Sequence, residues 1–194
     1  MNQVRIIGGH WRRRVLRFPD ALGLRPTPDR VRETLFNWLG QELDGLRCLD
    51  LFAGSGALGI EALSRGASEV TLVEQAAPVV RALRQQVQDL GLPASPALRI
   101  EHADALQFAA RCRSAGRRFD LVFLDPPYRQ GWWARLAPLV DDLVDDGGRL
   151  YVECEVPVQP PAGWLVRREG RAGQVFYHLF ERDEHRDVEL PHAG

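Results

Sequence analysis

Four consecutive residues, Asp125-Pro126-Pro127-Tyr128, close the apolar run Leu121-Val122-Phe123-Leu124. Two adjacent prolines fix φ and remove two backbone N–H donors, while their carbonyls keep their acceptor capacity. An acid, a rigid carbonyl and an aromatic ring at a strand end make a pocket that accepts hydrogen bonds from a planar amine. Tyr128 adds a stacking surface, so the amine of a nucleobase fits. Such an amine is a poor nucleophile, because its lone pair is delocalised into the ring. Accepting its N–H bonds at the Asp125 carboxylate and the Pro126 carbonyl localises that lone pair and stabilises the positive charge developing on nitrogen. Stacking on an aromatic is worth roughly 1–3 kcal/mol per base, and a stacked base must be flipped out to reach the pocket. Alone, Asp-Pro-Pro is equally well read as a surface turn. Its place at a strand end, with an aromatic at the fourth position, favours the chemical reading.

A second constellation lies upstream. Asp50-Leu51-Phe52-Ala53-Gly54-Ser55-Gly56-Ala57-Leu58-Gly59 joins an apolar strand to a helix. Its glycines allow close backbone approach to a ligand, and the helix start directs free N–H groups at an anion. Glu74, twenty residues beyond Gly54, ends the next strand, where an acid can hold both hydroxyls of a ribose. The Gly-x-Gly-x-x-Gly pattern also admits a nicotinamide dinucleotide or a ligand-free turn. Asp50, however, suits a ligand carrying an ammonium group. S-Adenosylmethionine has an ammonium and a carboxylate at one end and a ribose and adenine at the other. Asp104 and Ala105 follow the third strand of this region. Asp104 can accept from the adenine amine and the Ala105 N–H can donate to a ring nitrogen, or Asp104 is simply a helix N-cap.

Elements that would position these groups alternate from residue 46 onward. Strands are expected at 48–52, 69–73, 98–102, 119–124 and 149–153. Helices are expected at 58–65, 79–90 and 105–112, with a helical stretch at 132–144 broken near Pro138. This βα alternation predicts a parallel sheet covered on both faces. Residues 164–168 and 174–180 read as strands around a turn at 169–173, an edge hairpin. Before the alternation, Val4-Arg5-Ile6-Ile7 and Trp11 to Phe18 read as two strands around Gly8-Gly9. Thr27, Pro28 and Asp29 then form a helix start, and Val31, Leu35, Trp38 and Leu39 give an amphipathic stripe.

The chain of 194 residues suits one domain with a small appendage, and its net charge is −1. Charge is unevenly distributed. Residues 1–40 carry Arg5, Arg12, Arg13, Arg14, Arg17, Arg25, Arg30 and Arg32 against Asp20, Asp29 and Glu33, the footprint of a polyanion contact. All basic residues besides the histidines are arginines, the better phosphate fork. Cys48, Cys112 and Cys154 have no disulfide or zinc spacing, and the histidines are scattered, so no metal site is expected. Cys48 and Cys154 fall in strand runs and read as buried thiols. No cysteine stands where a carbon methyltransferase needs its nucleophile. No apolar run is long enough to cross a membrane or to form a signal peptide, so a cytoplasmic protein without a membrane partner is expected.

The motifs resemble class I S-adenosylmethionine-dependent methyltransferases acting on exocyclic amines. The fuller set looks like the bacterial family that methylates guanine N2 in 16S ribosomal RNA of the small subunit. That set is Arg5-Ile6-Ile7-Gly8-Gly9, the run Arg25-Pro26-Thr27-Pro28-Asp29 continuing to Asn37, Asp50 to Gly59, Asp125 to Tyr128, and Gly170 to Val175. The resemblance spans nearly the whole chain. The Arg-Pro-Thr segment is its most specific part, and Pro28 stands where another small polar residue is expected. It implies a Rossmann-like α/β fold with a seven-stranded, mostly parallel sheet and an antiparallel edge hairpin, preceded by a small β-hairpin extension. The expected organisation is a basic extension over residues 1–24, a methyltransferase domain over 25–182 and a polar tail over 183–194. The resemblance further implies that Asp50, Phe52, Gly54, Ser55, Gly56, Glu74, Asp104 and Ala105 line the cofactor and that Asp125, Pro126, Pro127 and Tyr128 hold the guanine. Arg5, His10, Arg12, Arg13, Arg25, Thr27, Arg30 and Arg32 are the candidates for rRNA contact within the small subunit or its assembly intermediate. Trp11 is a stacking platform or a packing residue. A monomer is the simplest expectation. The rivals are a DNA adenine-N6 methyltransferase, which needs a larger target-recognition region, and a protein-glutamine methyltransferase, which favours Asn over Asp at the first motif position. A non-catalytic RNA-binding module would not need the cofactor motif intact.

Overall fold

The computed structural model describes residues 2–18, 28–91 and 97–183. Its centre is a seven-stranded sheet. In chain order the strands are β3 (Arg47–Asp50), β4 (Glu69–Glu74), β5 (Leu98–His102), β6 (Phe119–Leu124), β7 (Val144–Cys154), β8 (Trp164–Ala172) and β9 (Val175–Arg182). Their spatial order is β5-β4-β3-β6-β7-β9-β8. The first five strands run parallel, and β9 and β8 close one edge antiparallel. This is the Rossmann-like arrangement that the alternation and the resemblance predict. The chain leaves β3 for β4 on one side and later returns to β6 on the other. That reversal of strand order opens a crevice beyond the C-terminal ends of β3 and β6.

Central strands of a parallel sheet are covered on both faces, which is why they read as continuous apolar runs. Successive side chains go to opposite layers. Cys48, Leu72, Leu121, Phe123 and Tyr151 join one core under α1 (Asp29–Leu39), α2 (Ala57–Ser64) and α3 (Ala77–Asp89). Leu49, Val73, Val122, Leu124 and Val152 join the other under α4 (Ala105–Ala115), α5 (Trp132–Leu136) and α6 (Val140–Leu143). A short 3-10 turn, Ala137–Leu139, separates α5 from α6, the break expected at Pro138. All three cysteines are buried free thiols. Among the described residues, no helix is long and apolar enough to cross a membrane.

The edge hairpin differs in detail from its expectation. Both strands are longer, and the chain turns at Gly173-Gln174, between the paired Ala172 and Val175. Gly170 and Arg171 therefore belong to the strand and not to the turn. The sequence hid this because Arg168, Glu169 and Arg171 look like loop residues, yet they face solvent on the outermost strand, where polar side chains are favoured.

Ahead of the sheet, β1 (Asn2–Arg5) pairs antiparallel with β2 (Val15–Phe18). β1 lies two residues earlier than expected and β2 is shorter, because the segment between them is bonded to α2. Ile7 N and Gly8 N donate to the two carboxylate oxygens of Glu61 at 2.8 and 2.7 Å. Trp11 N donates to Ser64 Oγ at 2.9 Å, and His10 N to the Ser64 carbonyl at 2.6 Å. Gly9 adopts φ +70, and a Cβ there would stand 1.8 Å from the Ser64 carbonyl oxygen, so the turn tolerates no side chain. Trp11 is partly buried against the core and serves as packing. At α1, Pro28 rather than Thr27 is the residue before the first helical turn, and Asp29 supplies the expected first-turn acid. Thr27 and Arg25 lie outside the described residues.

Candidate active site

One cleft at the C-terminal ends of β3, β4 and β6 gathers most of the expected groups. Its walls include Asp50, Phe52, Gly54, Ser55, Glu74, Ala105 and the whole Asp125 to Tyr128 motif. β3 ends on Asp50 and β6 ends one residue before Asp125, so the parallel pairing of these strands, with Asp50 opposite Phe123, brings both carboxylates to the same cleft wall.

Asp50 is buried, with one oxygen accepting from Gly59 N at 3.1 Å. Its other oxygen, Oδ1, is buried with no hydrogen-bond partner among the described residues. Burial pushes the Asp50 carboxyl from its ordinary 3.8 up to about 7; the N–H groups of Gly59 and, less, of Phe52 oppose the shift, and Asp125 and Glu74 add to it by charge repulsion. A buried acceptor that lacks a donor calls for one, and a cationic donor offsets both desolvation and repulsion. The ammonium group of S-adenosylmethionine meets that requirement, so these residues fit the cofactor that the motifs imply.

Glu74 is half-buried at the end of β4. Its two oxygens accept from Gly54 N at 3.1 Å and from Ala76 N at 2.7 Å. It thereby ties the glycine loop to the neighbouring strand while facing the cleft. Gly56 is not on the cleft wall. It precedes α2 with φ +77, and a Cβ there would meet Ile60 and Leu83 at 2.9 Å, so its glycine serves the turn and the packing beneath it. Asp104 also stands off the wall: its Oδ1 caps α4 by accepting from Leu106 N and Gln107 N at 2.9 and 3.1 Å. Its neighbours Ala103 and Ala105 form the wall at that point.

The cleft recruits residues with no motif to announce them. Trp132, the first residue of α5, meets Phe52 edge-on at a ring distance of 4.9 Å. Phe18, the last residue of β2, brings the basic extension to the cleft rim. An aromatic shortly after Asp-Pro-Pro-Tyr was a legible hint for Trp132. Nothing in the sequence pointed to Phe18.

Of the expected RNA-contacting residues, Arg5, His10, Arg12, Arg13 and Arg30 are exposed. Arg32 is not, and its expectation is corrected. It is fully buried, with NH2 donating to the Arg5 carbonyl at 2.8 Å and to Asp29 at 2.7 Å, and NH1 standing 3.7 Å from Glu61. Glu61 also takes Arg65 Nε at 2.9 Å. The pattern Val31, Leu35, Leu39 places position 32 beside the apolar stripe, and the buried Glu61 draws its guanidinium inward. Removing one member of a buried ionic network leaves its partners uncompensated. Arg32→Met is therefore expected to cost about 3 kcal/mol of stability; thermal melting within a degree or two of the parent would refute this structural role.

Comparison with known proteins agrees with this geometry. The family model described as Conserved hypothetical protein 95 matches residues 4–181. Ribosomal RNA small subunit methyltransferase D of Escherichia coli strain K12 is 46% identical over 187 residues, covering 93% of this chain and 91% of that protein. The protein of the same name from Haemophilus influenzae is 39% identical, covering 92% and 94%. Among solved structures, yhhF from Escherichia coli superposes with a TM-score of 0.82 at 44% identity, covering 94% of this chain and 99% of that one. Identity of this extent runs from the extension to the edge hairpin, and the chain belongs to the family of Ribosomal RNA small subunit methyltransferase D.

Proposed function

We propose that this protein transfers a methyl group from S-adenosylmethionine to the exocyclic N2 amine of one guanine in 16S rRNA, within the small ribosomal subunit or an assembly intermediate of it. The observation that carries this reading is the single cleft in which Asp50, Glu74 and Asp125 to Tyr128 meet, with the basic extension at its rim. Family membership supports an rRNA methyltransferase; the motif chemistry narrows the acceptor to an amine.

Bound S-adenosylmethionine supplies an electrophilic methyl group on a sulfonium. The protein's residues do the rest. Asp50 Oδ1 would hold the ammonium, the N–H groups at the start of α2 would face the carboxylate, and Glu74 would accept from the ribose hydroxyls. Ala103, Ala105 and Phe52 give apolar walls for the adenine. The Asp125 carboxylate and the Pro126 carbonyl accept the two N–H bonds of the guanine amine, directing its lone pair toward the methyl carbon. Tyr128, 37% exposed on the outer lip, is placed to stack on a base flipped out of its helix. The same carboxylate is the nearest acceptor for the proton that nitrogen loses once it has been alkylated.

Arg5, His10, Arg13 and Arg30 would bind phosphates, with the charge of Arg12 beside them, holding the subunit while the target base enters. Salt dependence reports such contacts, since each neutralised phosphate releases counterions. Arg12→Glu with Arg13→Glu should weaken subunit binding and flatten the plot of log affinity against log salt by about one to two units of slope; an unchanged slope would remove the extension from the interface. The reading as a whole is tested by incubating the protein with labelled S-adenosylmethionine and small subunits that lack this modification, followed by nucleoside analysis. Label in N2-methylguanosine is expected. Label only in adenine of added DNA, or only in protein, would overturn it.

A further inference from the structure

A second cleft, of about 430 Å³, lies between the glycine turn of the extension and the exposed side of α1. It is separate from the catalytic cleft: its floor is Arg65, just past the end of α2, whereas the glycine loop stands at the start of that helix, about 12 Å away for eight residues at 1.5 Å each. Glu33, Asn37 and Gln41 line it from one stripe of α1 and its exit, and Arg12 faces them from the turn.

Hydrogen bonding fixes what the cleft offers. Arg65 is held by Glu61 and by the face of Phe36, its guanidinium carbon 4.7 Å from the ring centre. Arg65 only donates, so the atom it meets at 2.7 Å is the oxygen of Gln41. The Gln41 amide nitrogen therefore donates, at 2.7 Å, to the oxygen of Asn37. That leaves the Asn37 amide nitrogen as a donor. Glu33 is exposed and makes no hydrogen bond or ion pair among the described residues, and the Arg12 guanidinium makes none either. The cleft thus presents an acceptor, an oriented donor and a guanidinium plane side by side. It does so in the most basic stretch of the chain.

A surface that only bound phosphate would gain nothing from Glu33, whose charge repels the backbone. Adjacent acceptors and donors are what reading a base edge requires, and single-stranded RNA is read through unstacked bases lying against aromatic or guanidinium planes. We propose that this cleft receives a second nucleobase of the rRNA substrate, one bearing an exocyclic amine. Glu33 accepts from that amine, Asn37 donates to the neighbouring ring nitrogen or carbonyl, and Arg12 lies over the base plane. The proposal rests on the rRNA reading above and adds a specificity contact remote from the reacting atoms.

The sign of the effect at Glu33 tests it. Glu33→Ala removes a negative charge and an acceptor from an exposed position, so folding is not at risk. Binding of the parent, Glu33→Ala and Asn37→Ala to unmodified small subunits would be measured across a salt series, beside methyl transfer and cofactor binding. The expected result is roughly tenfold weaker subunit binding and a matching rise in KM for each variant, with cofactor affinity and salt slope unchanged. Tighter or unchanged binding of Glu33→Ala would overturn the base pocket and leave a phosphate surface. Failure of the parent protein to bind or methylate subunits at all would instead overturn the underlying rRNA reading, and the pocket with it.

Discussion

Alanine at position 125 is expected to lower kcat for methyl transfer to small subunits by about 10²–10³, with cofactor affinity nearly unchanged. The residue follows directly on β6 and lines the crevice of the sheet, where its carboxylate is proposed to accept from the amine. Loss of that acceptor should remove stabilisation where positive charge develops, whereas the groups proposed to hold the cofactor lie at the ends of β3 and β4 and in the glycine loop. Asparagine should recover part of the rate, because its carbonyl still accepts one N–H bond. The measurement is single-turnover methyl transfer at saturating subunit, with cofactor affinity read separately by calorimetry. Full turnover by the alanine variant would remove Asp125 from the chemistry. The variant carries a second consequence. Asp125 helps to raise the Asp50 pKa, so its loss should move the Asp50 titration toward the acid side.

With Asp50 holding the ammonium as proposed, cofactor affinity should depend on pH near neutrality. Its ordinary value of 3.8 is raised to about 7, chiefly by burial. Pairing with an ammonium requires the ionised form. Below about pH 7 the site must shed a proton to bind, so affinity should fall by up to about tenfold per pH unit, and above it should level off. Asp50→Asn should flatten this profile, and Asp50→Ala should cost about 2–5 kcal/mol of cofactor affinity by leaving a buried charge without its partner. The free protein should show the opposite trend in stability. Because the folded carboxyl holds its proton more tightly than the unfolded one, the contribution of Asp50 is full below the ordinary carboxylate range. It is lost as pH rises through about 7. Saturating cofactor should restore stability at the alkaline end. A calorimetric profile that is flat from pH 5.5 to 8.5 in the parent protein would separate Asp50 from the ammonium.

Much of this molecule was legible before any coordinates. Asp125 to Tyr128 and Asp50 to Gly59 are short local patterns, and each sits where an apolar strand run stops. In a parallel α/β sheet all such strand ends open on the same side, so strand periodicity and two motifs together predict that they meet. The fold class followed from the same alternation. Boundaries were less legible where polar residues occupy an outer strand, as at Arg168 to Arg171, because solvent exposure there resembles that of a loop.

Only the tertiary structure decided the fate of the arginines. Eight of them in the first forty residues looked like one basic face, yet Arg32 is buried beside Glu61 while Arg12 and Arg13 stand in solvent. The sequence shows the local partner Asp29 but not the buried one, Glu61, which comes from a helix that starts only after the glycine loop. The role of Glu61 in clamping the extension, the arrival of Phe18 at the cleft and the order of β9 before β8 have the same origin. Local patterns fix which residues share a strand or a helix face. Contacts between elements distant in the chain depend on how those faces are stacked, and that is settled by burial of the whole core.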